Sequence, residues 1–197
     1  VEIDPDRVAL VALRLFGERG FDAVTMDDIA RAAQVSRRTL FRLFSTKTAL
    51  VWEGLSEAID AFGRELAGAP DNGDAITAVR EAAVRALRFP SANVEITRAR
   101  LRLIAAYPAL YAEGIPRFRQ AGRQVADFVA DRRGLHVEDL FVTVAANAVT
   151  STAFAALTWW AEYGDGPPGI VLDRALRDIE QGLGGRGPAT GPAQPTA

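Results

Sequence analysis

The run Ser36-Arg37-Arg38-Thr39 places two guanidinium groups and two hydroxyls within about one helical turn. These side chains suit nucleic acid. Arginine can hold the O6 and N7 of guanine through two parallel hydrogen bonds, and threonine can meet a base edge or a thymine methyl. Arg42 and then Lys47 follow at distances suited to phosphate oxygens. From Ile29 to Leu50 the cations Arg31, Arg37, Arg38, Arg42 and Lys47 occur without an Asp or Glu, so this window carries +5 and the remainder −7, giving the chain's net −2. The negative total argues against a nucleic-acid binder, but a local cationic face is what neutralises phosphates. One basic end on an acidic body fits a protein that docks DNA by that end.

Other chemistries find little support. The chain has no cysteine, so disulfides and thiolate zinc sites are excluded. His136 is the sole histidine and sits in a loop beside Gly134, where a lone imidazole makes no metal site. No Ser-His-Asp set or pair of opposed carboxylates emerges, so the expectation is no enzyme, no cofactor and no metal. No apolar run continues unbroken for the ~18 residues of a membrane span, and no leader pattern opens the sequence. The expected location is the cytoplasm, without membrane contact.

The elements that must position the basic segment read as helices throughout. Val8, Val11, Ala12, Leu15 and Phe16 recur at three- and four-residue spacing between Asp4 and Arg19, and Gly20 supplies a stop. Thr25 reads as an N-cap followed by Asp27 and Asp28, and the short helix it opens buries Met26, Ile29, Ala30 and Ala33. After a break at Gln34-Val35, Ser36 caps a third helix, Arg37 to Phe44. Leu40, Phe41 and Phe44 form the apolar side of that helix. Two short helices joined by a tight turn, the second basic, form a helix-turn-helix, with the N-terminal end of the second in the major groove. The competing reading is a helical bundle whose cationic face is merely solvated.

A fourth helix starts near Thr46, and Gly68-Ala69-Pro70-Asp71-Asn72-Gly73 is the clearest loop. Helices follow at roughly 74–88, 93–106, 108–133, 137–163 and 169–182, with Pro116 expected to kink the long one. The Gly, Pro, Ala and Thr composition from 184 to 197 predicts a disordered tail. The fold class is therefore all-α, with about nine helices.

The residues Gly20-Phe21-Asp22-Ala23-Val24-Thr25-Met26-Asp27-Asp28-Ile29-Ala30, Ala33-Gln34-Val35-Ser36, Thr39-Leu40-Phe41, Phe44 and Lys47-Thr48-Ala49-Leu50 resemble the TetR family signature over residues 6 to 51 without a gap. The resemblance implies an N-terminal three-helix reader at 1–45 and a helical ligand-binding and dimerisation bundle at 46–183. It implies a homodimeric, ligand-released repressor of a palindromic double-stranded DNA operator. It also implies that Thr25, Ser36, Arg37, Arg38, Thr39, Phe41, Arg42 and Lys47 line the DNA face. The run Arg37-Arg38-Thr39-Leu40-Phe41-Arg42 is similar to that of actinobacterial members, including regulators found beside mycofactocin genes.

Three positions depart from the family pattern. Gln34 stands where glycine is usual, so the turn is expected to need a left-handed backbone that costs this residue energy. Phe41 replaces a tyrosine and loses a hydroxyl that could reach phosphate. Arg38 replaces a frequent glycine and adds charge nearest the DNA. Relatives often carry a basic arm before the first helix, entering the minor groove; here Glu2 and Asp4 stand at that end.

The resemblance also places dimerisation on the last two helices. Ala145, Ala146, Ala148, Ser151, Thr152, Ala153, Ala155 and Ala156 would permit close helix approach, and Leu172, Leu176, Ile179 and Leu183 stripe the last helix. These residues could equally close the monomer's own core. A small-molecule pocket is expected between the middle helices, with candidates Trp52, Phe62, Phe89, Leu103, Tyr107, Tyr111, Phe118, Phe128, Phe141, Asn147, Phe154 and Trp159; aromatics at this spacing are more often plain core. Asn147, an amide in an apolar helix, needs a partner, a pocket or the dimer seam. Arg98 and Arg102 lie at a pocket mouth or, more commonly for such residues, in solvent. Alternatives to the ligand-released repressor are a DNA-binding regulator whose C-terminal domain only dimerises, and a helical enzyme or carrier with a chance basic segment.

Overall fold

A computed structural model describes residues 4–88 and 94–182 of the chain. The expectations for Phe89, for Leu183 and for the tail from 184 onward lie outside the described residues. Within them every regular element is an α-helix: α1 (Pro5–Arg19), α2 (Met26–Ala32), α3 (Arg37–Leu43), α4 (Lys47–Ala67), α5 (Ala75–Ala86), α6 (Val94–Ala106), α7 (Pro108–Arg133), α8 (Leu140–Tyr163) and α9 (Pro168–Glu180). The all-α expectation holds, and most boundaries fall within a residue or two of those read from caps and breakers.

The caps explain why the short helices start where they do. Thr25 Oγ1 accepts from the Asp28 amide (3.1 Å), while the Asp28 carboxylate accepts from the Thr25 amide (3.0 Å) and hydroxyl (2.6 Å). This reciprocal arrangement satisfies two amides that the first turn of α2 leaves without helical partners. Ser36 Oγ accepts from the Thr39 amide (3.0 Å) and opens α3 in the same way. Between the two helices Gln34 has φ 56°, the sole non-glycine with positive φ among the described residues. The left-handed turn expected there is present, at a cost of roughly 1–2 kcal/mol for a residue bearing a Cβ.

The buried face of α1 comprises Val8, Ala9, Ala12, Leu13 and Phe16. Val11 and Leu15 flank this stripe, half-buried, because α1 packs against α6 as well as α2 and α4. With Val24, Ile29, Leu40 and Phe44 from the first helices, the same cluster takes in Leu50, Val51 and Trp52 of α4 and Ile96, Leu103 and Ile104 of α6. Apolar packing is thus continuous across the expected division at residues 45 and 46. A second cluster joins α4, α5, α7, α8 and α9 through Phe62, Val79, Val125, Val142 and Leu172.

The long α7 runs unbroken through Pro116 and ends at Gly134, whose φ of 62° gives the left-handed cap. α8 packs on α7, α6 and α9 with one face only. Its other face, with the start of α9, stays exposed and apolar: Val144 is 56% exposed, Trp159 51% and Ile170 67%. By length and composition α8 is apolar enough to cross a membrane, the one such helix among the described residues. The unbroken-run criterion passed over it because threonines, Ser151 and Asn147 interrupt the apolar residues.

Candidate nucleic-acid interface and ligand cavity

The residues expected on the DNA face fall into three physical groups. Arg38 and Arg42 are exposed, and neither has a hydrogen-bond or ion-pair partner among the described residues. Their guanidinium groups are therefore available to an external anion or base edge. Arg37 is exposed but held: its Nε lies 3.2 Å from Asp27 and its guanidinium 5.5 Å from the Phe41 ring centroid. Phe41, 41% exposed, serves as the platform for that cation. Thr25, Ser36 and Thr39 form the third group, their side chains engaged in capping and, between Ser36 and Thr39, in a 2.8 Å hydroxyl contact.

The first turn of α2 already holds a carboxylate. Hydrogen bonds from the Thr25 hydroxyl and then its amide keep the Asp28 carboxyl below the usual carboxylate range. Asp28 also lies 3.3 Å from Arg31. The α2 N-terminus thus carries its own anion, whereas no acidic residue occupies the first turn of α3.

Lys47 belongs to none of these groups. Its ammonium donates to the Phe21 carbonyl at 2.8 Å and sits 4.6 Å from the centroid of that residue's ring. Two further residues brace the reader and were not foreseen. Arg7 Nη2 donates to the Ala33 carbonyl (3.2 Å) at the end of α2, and the Tyr107 hydroxyl accepts from the Phe21 amide (3.1 Å). Both join residues far apart in sequence, so neither helical spacing nor a cap rule could find them.

In the body, a cavity of about 140 Å³ lies between α4, α5, α6, α7, α8 and α9. Trp52, Ile59, Phe62, Leu101, Phe118, Val125, Ala153, Phe154 and Leu172 are among its lining. Thr150 is its one polar side chain, and that hydroxyl donates to the Ala146 carbonyl (2.9 Å) within α8. Such a surface offers an apolar guest contact area but no ionic or hydrogen-bonding anchor. Phe118 stands edge-on to Trp52 (centroids 5.7 Å apart) and to Phe154 (5.1 Å), forming an aromatic wall.

Of the pocket candidates, Trp52, Phe62, Phe118 and Phe154 are placed on this cavity. Leu103 is buried in the cluster shared with the reader, and Tyr107 points to Phe21. Tyr111 and Asn147 border a separate surface recess between α7 and α8, where Asn147 Nδ2 donates to the Thr143 carbonyl one turn back (2.8 Å). Phe128 faces an outer groove, under Arg132 (4.6 Å). Phe141 lies under Arg133 (4.4 Å), and Trp159 pairs with Tyr163 (5.8 Å) on the exposed face.

Neither expected fate holds for Arg98. It is largely buried, donating to the carbonyls of Trp160 (2.9 Å) and Ala161 (3.2 Å) with its guanidinium 4.4 Å over the Trp160 ring. Ala161 lies in the last turn of α8, where carbonyls lack helical partners and a cation satisfies them, while the Trp160 carbonyl also accepts from the Gly164 amide (2.9 Å). Arg102 is half exposed and lies 3.4 Å from Glu162. His136 is exposed, 4.0 Å from Glu138.

Comparison with known proteins fits both halves of this arrangement. The family model described as bacterial regulatory proteins, tetR family, matches residues 10–53. The model described as MftR C-terminal domain matches residues 74–184. A Mycobacterium tuberculosis protein, described as a mycofactocin biosynthesis transcriptional regulator and named MftR, is 33% identical over 160 residues, covering 79% of each chain. The HTH-type transcriptional regulator TcmR of Streptomyces glaucescens is 28% identical over 142 residues, covering 69% of this chain and 63% of its own.

Among solved structures, the TetR family regulator PfmR of Thermus thermophilus superposes with a TM-score of 0.56 at 22% identity, covering 90% of this chain and 98% of its own. FadR of the same species, a repressor solved in complex with lauroyl-CoA, gives 0.53 at 22% identity, covering 97% and 100%. These structural likenesses concern the fold. The matched families and named relatives are transcriptional regulators, not enzymes.

Proposed function

Because the chain belongs to the TetR family of transcriptional regulators, we propose that it is a dimeric repressor that grips a palindromic operator with α3 and releases it when an apolar small molecule enters the cavity. The observation that carries this reading is the division of labour within one chain. Arg38 and Arg42 stand at one end without a partner among the described residues, and a cavity with almost no polar lining stands in the body. In this reading residues 1–45 form the reader and 46–183 the ligand-binding and dimerising body, in the cytoplasm with the DNA.

Arg38 reads base edges, Arg37 is presented by Asp27 and Phe41, and Arg42 contacts phosphate, with Ser36 and Thr39 at the α3 N-terminus. The apolar face of α8 and α9 pairs with that of a second copy, which sets two readers about one DNA turn apart. An apolar face this exposed on a monomer marks an interaction surface.

Cavity size bears on the ligand. A space near 140 Å³ holds a benzene-sized group, by comparison with an engineered apolar cavity of about 150 Å³ that binds benzene. A longer acyl chain enters only if the surrounding helices part, and such parting would alter the spacing of the two readers. That the fold neighbour FadR is solved with lauroyl-CoA makes an acyl thioester a sensible first probe. A reading in which the body only dimerises, with no effector, draws on the same small volume.

Footprinting on the DNA flanking the chain's own gene, repeated with lauroyl-CoA and a panel of lipophilic molecules, tests both readings. Protection of a palindrome that a lipophilic compound abolishes supports the first. Protection that no compound alters favours the second, and no protected palindrome removes the autoregulatory version.

A further inference from the structure

Phe21 is held from the body through both its amide and its carbonyl. Its amide donates to the Tyr107 hydroxyl at 3.1 Å, and its carbonyl accepts from Lys47 Nζ at 2.8 Å. Its ring packs on Phe16 (centroids 4.9 Å apart) and on Tyr107 (5.8 Å). Phe21 belongs to the loop joining α1 to α2. The preceding Gly20 has φ 84°, and a Cβ there would meet the Tyr107 hydroxyl at 3.5 Å.

Tyr107 is itself a joint. It is the single residue between α6, which ends at Ala106, and α7, which opens with Pro108. Lys47 is the first residue of α4. One joint of the body thus reaches into one joint of the reader, beside the residue that begins the connecting helix.

The other side of this contact leads to the cavity. Trp52, on the cavity wall, donates from Nε1 to the Leu110 carbonyl (3.2 Å), three residues beyond Tyr107 in the first turn of α7. The start of α7 is thus tied to α4 at the cavity wall through Trp52 and, through Tyr107 just before it, shares with Lys47 of α4 the grip on Phe21. Farther along, hydrogen bonds from Arg117 to Ser56 and from Gln120 to Asp60 hold the same two helices together. A guest that drives α4 from α7 cannot leave both the Tyr107 and the Lys47 contacts at their present lengths.

We propose that Tyr107 is a positioning residue, a strut whose hydroxyl fixes the angle at which the reader is carried by the body. Lys47 is its counterpart on α4, holding the carbonyl of the same residue. The strut rests on the dimeric, palindrome-binding reading given above. Its role is geometric: it sets where the reader points and touches no DNA.

Tyr107→Phe removes one oxygen, keeps the ring against Phe21 and breaks the hydrogen bond to its amide. The full chain, wild type and Y107F, is compared on a site selected from random DNA by the wild type and on one half of that site. A strut matters only when two readers must match two half-sites. The expected result is affinity on the order of tenfold weaker for the full palindrome, with half-site affinity, dimer mass and circular dichroism unchanged. Equal losses on full and half sites would mean that the hydroxyl merely holds the reader together, and would overturn the strut. Wild-type affinity on both sites would overturn it as well. If the wild type selects no two-fold symmetric site, the proposed function itself fails and the strut falls with it.

Discussion

The Trp52 indole lies so close to Gly114 that a β-carbon there would stand 2.2 Å from Cη2. α4 and α7 approach at this point because α7 presents no side chain, and the indole then reaches the Leu110 carbonyl. Arg117 covers the outer side, with its guanidinium 5.3 Å from the Trp52 ring centroid and its Nε donating to Ser56 Oγ (2.8 Å).

Gly114→Ala should therefore either force the two helices apart or push the Trp52 indole off its contact with the Leu110 carbonyl. Overpacking of this kind costs about 1–3 kcal/mol, less the roughly 0.5–1 kcal/mol that alanine returns in a helix interior. Chemical denaturation would read the loss as a lowered midpoint at unchanged slope. A midpoint at or above that of the wild type would show that the contact is not a constraint.

Arg38 and Arg37 should separate in a DNA-binding assay. Arg38→Ala removes a guanidinium that has no partner among the described residues, with an expected loss of about 1–3 kcal/mol that is concentrated at one base position. Arg37→Ala also releases Asp27 from its ion pair and leaves an uncompensated anion near the phosphates, so its loss should extend to sites of any sequence. Anisotropy titrations on the selected site and on single-base variants distinguish the two. Identical profiles would contradict this division.

Gln34→Gly is expected to stabilise the chain. The φ of 56° is free of Cβ strain in glycine, and relief of about 1 kcal/mol outweighs the extra backbone freedom of the unfolded chain. A thermal melt would show the midpoint rising, with operator affinity held or improved. A fall would mean that the Gln34 side chain contributes something its exposed position does not reveal.

Acid should weaken the helix-turn-helix through Asp28. Its carboxyl lies below the ordinary value of 3.8, so its contribution is full above that value and is lost as pH falls through the lowered one. Asp28→Asn takes away the charge at every pH. The stability gap between wild type and D28N should be constant near neutrality and close below about pH 4. A gap that widens on acidification would reverse the sign and refute the assignment.

Much of the reader was legible in the sequence because its determinants are local. Thr25, Ser36 and Gln34 act within three or four residues of themselves, and the apolar stripes of α1 and α4 follow helical periodicity. The contacts of Arg98, Lys47 and Tyr107 were not legible, for the opposite reason. Tyr107 meets a residue 86 positions away, and Arg98 meets carbonyls 62 and 63 positions away. Periodicity distinguishes a buried side from an exposed one but does not say which carbonyl a long side chain will reach. The pocket candidates divided on the same ground: Phe118 and Phe154 turn inward, while Phe141 and Trp159, equally aromatic, lie on the outer face of α8.

The cavity also bears on what an effector does to the protein as a whole. The apolar wall of this space of about 140 Å³ goes without the packing contacts that a filled one would have, a deficit in the stability of the empty chain. A guest recovers part of that deficit by mass action, while any parting of α4 from α7 pulls on Phe21. The molecule that loosens the grip on DNA should thus be the one that hardens the protein against heat, so a rise in melting temperature can nominate effectors before the operator is known.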